Sequence, residues 1–190
     1  MKRLALLAFA LLAATPAIAH DLPGAHAHGF WAGLMHPVLG MDHLLAIVAL
    51  GLWASLLRGR ARWLAPAAFI AFLLLGGLLG LGGIVIPHLE IGIALSVLVF
   101  GLMLATLVRN AGIAIALAAG FALFHGNAHG VEMPAALDAA LYTIGYVSAT
   151  AALTFAALGA GSWVQAKQQR LLRWGGGALA VFGLAWNFIG

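Results

Sequence analysis

The chain has 190 residues, 64% of them hydrophobic and only 7% charged, with nine Lys and Arg against five Asp and Glu. An ordinary soluble domain carries roughly 25% charged residues, so this composition excludes a water-soluble globule and a disordered chain and leaves an all-α membrane protein. The cationic excess lies between apolar runs, where it sets topology rather than binding nucleic acid, and the lack of any Cys removes disulfides, thiolate metal sites and Cys nucleophiles together.

Residues 1–19 begin Met1-Lys2-Arg3, continue through the apolar run Leu4–Ala14 and end Ala17-Ile18-Ala19. A charged start, a short apolar core and a small-residue end read as a cleaved secretory signal peptide, leaving residues 20–190 as one mature permease domain. That domain would start with His20, Asp21, His26 and His28 close together. A free α-amine with pKa near 7.7–8.0 ligates around neutral pH, so the segment is a candidate for metal capture.

Six apolar stretches approach the roughly 20 residues that a span requires: 34–57, 64–86, 91–108, 112–131, 139–163 and 172–189. The expected architecture is a six-transmembrane-helix bundle. Arg58, Arg60, Arg62, Arg109, Lys167, Arg170 and Arg173 fall at the turns after spans 1, 3 and 5, whereas the turns at 87–90 and 132–138 carry no Lys or Arg. The basic side is cytoplasmic, which predicts a bacterial inner-membrane protein with both mature termini in the periplasm. Trp53, Trp63, Trp163 and Trp174 flank the basic turns, as an interfacial belt would. Gly76/Gly80 and Gly126/Gly130 have the spacing that lets helix backbones approach. For the first pair plain packing accounts for it. No internal repeat is evident.

Ionisable residues are costly within a span and usually face a cavity or a partner. Here they concentrate in two places: His36-Pro37-Val38-Leu39-Gly40-Met41-Asp42-His43 in span 1, and Phe124-His125-Gly126-Asn127-Ala128-His129-Gly130-Val131-Glu132 at the end of span 4. On one continuous helix His36 and His43 would lie about 20° apart, and His125, His129 and Glu132 follow helical spacing. Asp42 sits where it can ligate or orient His43. Depth agrees: His43 and His125 each fall about 9 Å inside the outer boundary, with His36 and His129 near it. Imidazole and carboxylate without thiolate suit Ni²⁺, Co²⁺, Zn²⁺ or Cu²⁺, and equally a proton relay.

At these two motifs the sequence resembles the HupE/UreJ family of nickel/cobalt permeases, small membrane proteins associated with hydrogenase and urease maturation. The resemblance runs over the whole chain. It implies a non-enzymatic importer whose transported substrate is Ni²⁺ or Co²⁺, with no permanently bound cofactor. The metal ligands would be His36, Asp42, His43, His125, His129 and Glu132, and the partners the metal ion and the lipid bilayer. No nucleotide-binding Gly-x-x-x-x-Gly-Lys-Ser/Thr is present. From the residues alone, two alternatives stay open: an intramembrane zinc hydrolase with Glu132 or Asp42 as general base, and a proton-coupled carrier of a non-metal substrate.

Overall fold

A computed structural model describes residues 25–189, with side chains over 29–188. The expected signal peptide, His20 and Asp21 lie outside the described residues, and for His26 and His28 only the backbone of the first helix is described. Every element is helical: α1 (Ala25–Leu39), α2 (Met41–Ala54), α3 (Ala61–Leu81), α4 (Leu89–Ala105), α5 (Ala111–Val131) and α6 (Ala139–Ile189). Among the described residues, α3, α5 and α6 are long and apolar enough to cross a membrane, and α1 with α2 adds a fourth crossing if that bent pair is one span. The described residues are all helical or in the connections between helices, and their apolar helices are those of a multi-pass membrane protein.

The first span differs from its expected form. In place of one helix over 34–57, α1 and α2 meet at Gly40 with a bend of 76°. Pro37 has no N–H to give to the carbonyl a turn earlier, and Gly40 leaves the helix with φ −75° and ψ 107°. Both halves nevertheless advance along α6 in the same sense. Gly29 lies beside Asp138, Gly33 beside Tyr142, Gly51 beside Thr154, and Ser55 beside Gly161.

The last two spans also differ, because the expected turn over 164–171 is mostly helical. Only Gln168 leaves helical geometry inside α6, with φ −149° and ψ 75°. The stretch Val164-Gln165-Ala166-Lys167-Gln168-Gln169-Arg170-Leu171 holds no Gly or Pro and is rich in good helix formers, so helix persists on both sides of Gln168 and two helices meet there across a one-residue kink. Elsewhere the boundaries follow local chemistry. Asn110 caps α5 by accepting from the Ile113 amide at 3.0 Å. The chain leaves α3 through Gly83 at φ 82°, with Ile84 N bonded to Leu79 O at 2.9 Å.

Glycine contacts set how the helices pair. α3 and α5 run parallel: Gly76 faces Leu123 and Asn127, Gly126 faces Leu73 and Gly77, and Gly130 faces Gly77 and Leu81. The two small-residue pairs of the sequence thus pack on one another. α4 runs antiparallel to the end of α6, with Leu98 beside Gly183, Gly101 beside Ala180 and Ala105 beside Gly176.

An aromatic block is shared by α2, α3, α4 and α5. Phe69 and Phe100 are 6.4 Å apart, Phe100 and Phe121 5.5 Å, and Phe100 and Trp53 6.0 Å. Trp53 is fully buried and donates its indole N–H to Val108 O at 2.8 Å. This corrects its assignment to the interfacial belt, because the amphipathic indole has found its polar partner inside the protein. Trp63, Trp163 and Trp174 are exposed.

An added Cβ at Gly126 would run into Leu73 O, whereas at Gly120 on the same helix it would meet nothing within 4 Å. Gly126→Ala is expected to destabilise the purified protein by about 1–3 kcal/mol, and Gly120→Ala to leave it neutral or up to about 1 kcal/mol more stable. Thermal unfolding of the two variants in detergent measures the contrast.

Candidate functional site

The break at Gly40 puts two imidazoles on two helices. His36 lies near the end of α1, and His43 lies in the first turn of α2. Their rings are still only 6.0 Å apart, so the bend, and not a shared helical face, brings them together. Asp42 occupies the same first turn, where a carboxylate meets the positive end of the helix dipole. Its Oδ1 accepts from the His43 amide at 2.7 Å and lies 3.0 Å from His43 Nδ1. An ionised carboxylate only accepts. Beside an ionised Asp42, the neutral form of His43 carries its hydrogen on Nδ1 and has its lone pair on Nε2.

α5 supplies the other side. His125 and His129 are both 1% exposed. The ring of His43 is 4.7 Å from His125 and 4.9 Å from His129, and that of His36 is 4.7 Å from His129. At the rim, His36 Nε2 lies 3.2 Å from Glu132 Oε2, with side chains 27% and 43% exposed. A pair this exposed adds little stability, but it joins the end of α1 to the end of α5. The structure so gathers His36, Asp42, His43, His125, His129 and Glu132 at one end of the bundle. Among the described residues, no three His, Asp or Glu side chains are arranged as a ready metal-binding group.

Three buried nitrogens of this cluster have no hydrogen-bond partner: His43 Nε2, His125 Nδ1 and His129 Nδ1. Leaving such an atom unpaired costs about 1–3 kcal/mol. Imidazoles with free lone pairs, buried where the helices meet, are suited to binding a cation or passing a proton.

Several residues around the cluster were not singled out from the sequence. Tyr142 Oη is 2.9 Å from His36 Nδ1, and Tyr146 stacks on His129 at 4.5 Å with 10° between the planes. Gly77 leaves room for Tyr146 Oη, which an added Cβ would strike. Ser96 Oγ is 2.8 Å from His125 Nε2, and Phe69 lies 5.6 Å from the same ring. Asn127, between the two histidines of α5, is fully buried. Its amide donates to Ile84 O at 2.7 Å and to Gly76 O at 3.3 Å, and its carbonyl accepts from Ile86 N at 2.8 Å. It fastens the α3–α4 connection to α5. An amide in an apolar span was the available signal for it. Ser96 and the tyrosines sit on helices that otherwise read as ordinary spans.

The family model described as HupE / UreJ protein matches residues 7–186. A curated relative, Protein HupE of Rhizobium leguminosarum bv. viciae, is 44% identical over 174 residues, covering 90% of this chain and 91% of the relative. No solved structure matches the chain.

Replacing Asn127 with Ala would leave the Ile86 amide and two backbone carbonyls without their partner. At about 1.4 kcal/mol or more, exchange of the Ile86 amide should speed up at least about tenfold. Hydrogen–deuterium exchange of the 82–88 segment measures this.

Proposed function

The chain belongs to the HupE/UreJ family, and on that premise we propose that it imports a divalent transition-metal ion, Ni²⁺ or Co²⁺, through the imidazole cluster between α1–α2 and α5. The observation that carries this reading is the set of three partnerless buried nitrogens on His43, His125 and His129. A cation that accepts their lone pairs removes the cost of leaving them unpaired. Asp42 and Glu132 bring negative charge to each end of the cluster, and His36 forms its outer rim. Nitrogen and oxygen donors without thiolate hold such an ion firmly enough to select it and weakly enough to release it. The rings lie close to one another without forming a finished coordination sphere, so the ion draws the donors in as it binds. No catalytic step is required.

The topology belongs to the same proposal: six crossings in the inner membrane, with α1–α2 as the first and α6 divided at Gln168 into the fifth and sixth. Alternating crossings require the first to run parallel to the fifth, the second parallel to the fourth, and the third antiparallel to the sixth. The helix registers described above support this in all three cases. The seven mature cations then face the cytoplasm and the imidazole cluster opens to the periplasm. His20, Asp21, His26 and His28 would capture scarce metal ahead of His36, and the imported ion would serve hydrogenase or urease maturation.

Uptake of radiolabelled Ni²⁺ at trace concentration, in cells lacking other importers and with Co²⁺ and Zn²⁺ as competitors, tests the reading. Cells expressing the protein should accumulate Ni²⁺, and Co²⁺ should compete. Absence of uptake from correctly inserted protein overturns it. His43→Ala and His125→Ala should each cut the initial rate at least about tenfold, and the double variant should be no worse than the worse single one, because donors to one ion act as a unit. A reporter fused after Gly190 should lie in the periplasm; a cytoplasmic reporter would make the number of crossings odd.

A further inference from the structure

We propose that Ser96, on α4, is a positioning residue that holds His125 in the tautomer with its hydrogen on Nε2, so that the Nδ1 lone pair stays available to the cargo. The inference deepens the reading of the cluster as a metal path and rests on it.

One hydrogen atom decides the tautomer. Ser96 is fully buried, and its Oγ donates to the Ile93 carbonyl at 2.6 Å. A hydroxyl has one hydrogen to give and two lone pairs with which to accept. With that hydrogen committed to Ile93 O, the contact of 2.8 Å between Ser96 Oγ and His125 Nε2 must be a bond donated by the ring. Reversing it would leave two oxygens facing each other at 2.6 Å with no hydrogen between them. His125 Nε2 therefore carries the hydrogen, and in the neutral ring Nδ1 is the bare nitrogen. Nδ1 is one of the buried atoms with no partner.

His43 is held by the opposite arrangement. Asp42 takes the hydrogen of Nδ1, and Nε2 is bare and unpartnered. Two facing imidazoles, 4.7 Å apart and edge to face at 88°, thus each have one nitrogen engaged by a neighbour and the other free. The groups that bond the far nitrogen of a ligating His fix its tautomer and ring orientation, and losing one typically costs about 10–100-fold in metal affinity. Asp42 is visible in the sequence as the residue beside His43. Ser96 comes from a third helix, α4, outside both histidine motifs.

The test compares Ser96→Ala, which removes the acceptor, with Ser96→Thr, whose hydroxyl can make the same bond to a helix carbonyl. The first readout needs no metal. Nuclear magnetic resonance of the purified protein with isotope-labelled histidine, and with His125→Gln to identify the signal, reports which nitrogen of His125 carries hydrogen. The wild type and Ser96→Thr should show hydrogen on Nε2, and Ser96→Ala a mixture of both tautomers. The second readout is radiolabelled Ni²⁺ uptake: Ser96→Ala should raise the concentration for half-maximal uptake about tenfold or more and keep the maximal rate within about twofold, with Ser96→Thr near wild type. An unchanged His125 tautomer in Ser96→Ala overturns the proposal whatever happens to uptake. A changed tautomer with an unchanged concentration dependence overturns its functional half. If wild-type protein takes up no Ni²⁺, the import reading fails, while the resonance experiment still decides whether Ser96 holds His125. Should Ser96→Ala not accumulate, Ser96→Cys, with a weaker acceptor, should show the same changes to a smaller degree.

Discussion

Inside a bilayer no water is at hand to satisfy a buried polar atom, so each must find its partner within the protein. This constraint organises the interior of the molecule. Asn127 uses its whole amide on backbone atoms of α3 and the loop that follows it. Trp53 spends its indole N–H on Val108 O, and Ser96 and Thr154 return their hydroxyl hydrogens to carbonyls of their own helices. Against that background the bare nitrogens of the histidine cluster stand apart. Of the six buried polar atoms left without a partner among the described residues, four gather here: His43 Nε2, His125 Nδ1, His129 Nδ1 and Tyr146 Oη, whose ring stacks on His129.

The means of assembling the cluster are backbone devices. A proline and a glycine break the first span, so that His36 and His43 approach from two helices that meet at 76°. Glycines on α3 and α5 remove side-chain thickness behind His125 and His129, and Gly77 leaves the space that Tyr146 Oη fills. The stacked ring of Tyr146 then limits how His129 can tilt. Small residues thus govern the large ones.

Much of this was legible in the sequence, and the exceptions have physical reasons. Apolar run length located α3, α4 and α5 closely, and the ionisable residues of two spans pointed to the end of the bundle where they meet, because charge in a membrane is too costly to be incidental. The helical wheel failed for His36 and His43, since it assumes an unbroken helix and Gly40 interrupts this one. Trp53 was misjudged because a tryptophan near a basic turn looks the same in sequence whether its N–H meets lipid headgroups or Val108. Ser96, Tyr142 and Tyr146 stayed hidden because one hydroxyl in an apolar run is common, and only tertiary packing tells which one touches a histidine.

The aromatic block has a consequence for how a cargo would pass. Phe69 touches the His125 side of the cluster, and Phe100, Phe121 and Trp53 fill the bundle beneath it, whereas the opposite rim at His36 and Glu132 is partly wetted. The described shape is therefore partly wetted at one end of the cluster and packed with aromatic rings at the other. Under the import proposed above, an ion held by the imidazoles could not cross that aromatic floor as a bare charge, so its release on the far side would require a second shape in which the rings part. Because Trp53 ties α2 to the segment after α4, those two would have to shift together, or break that bond, for the floor to open.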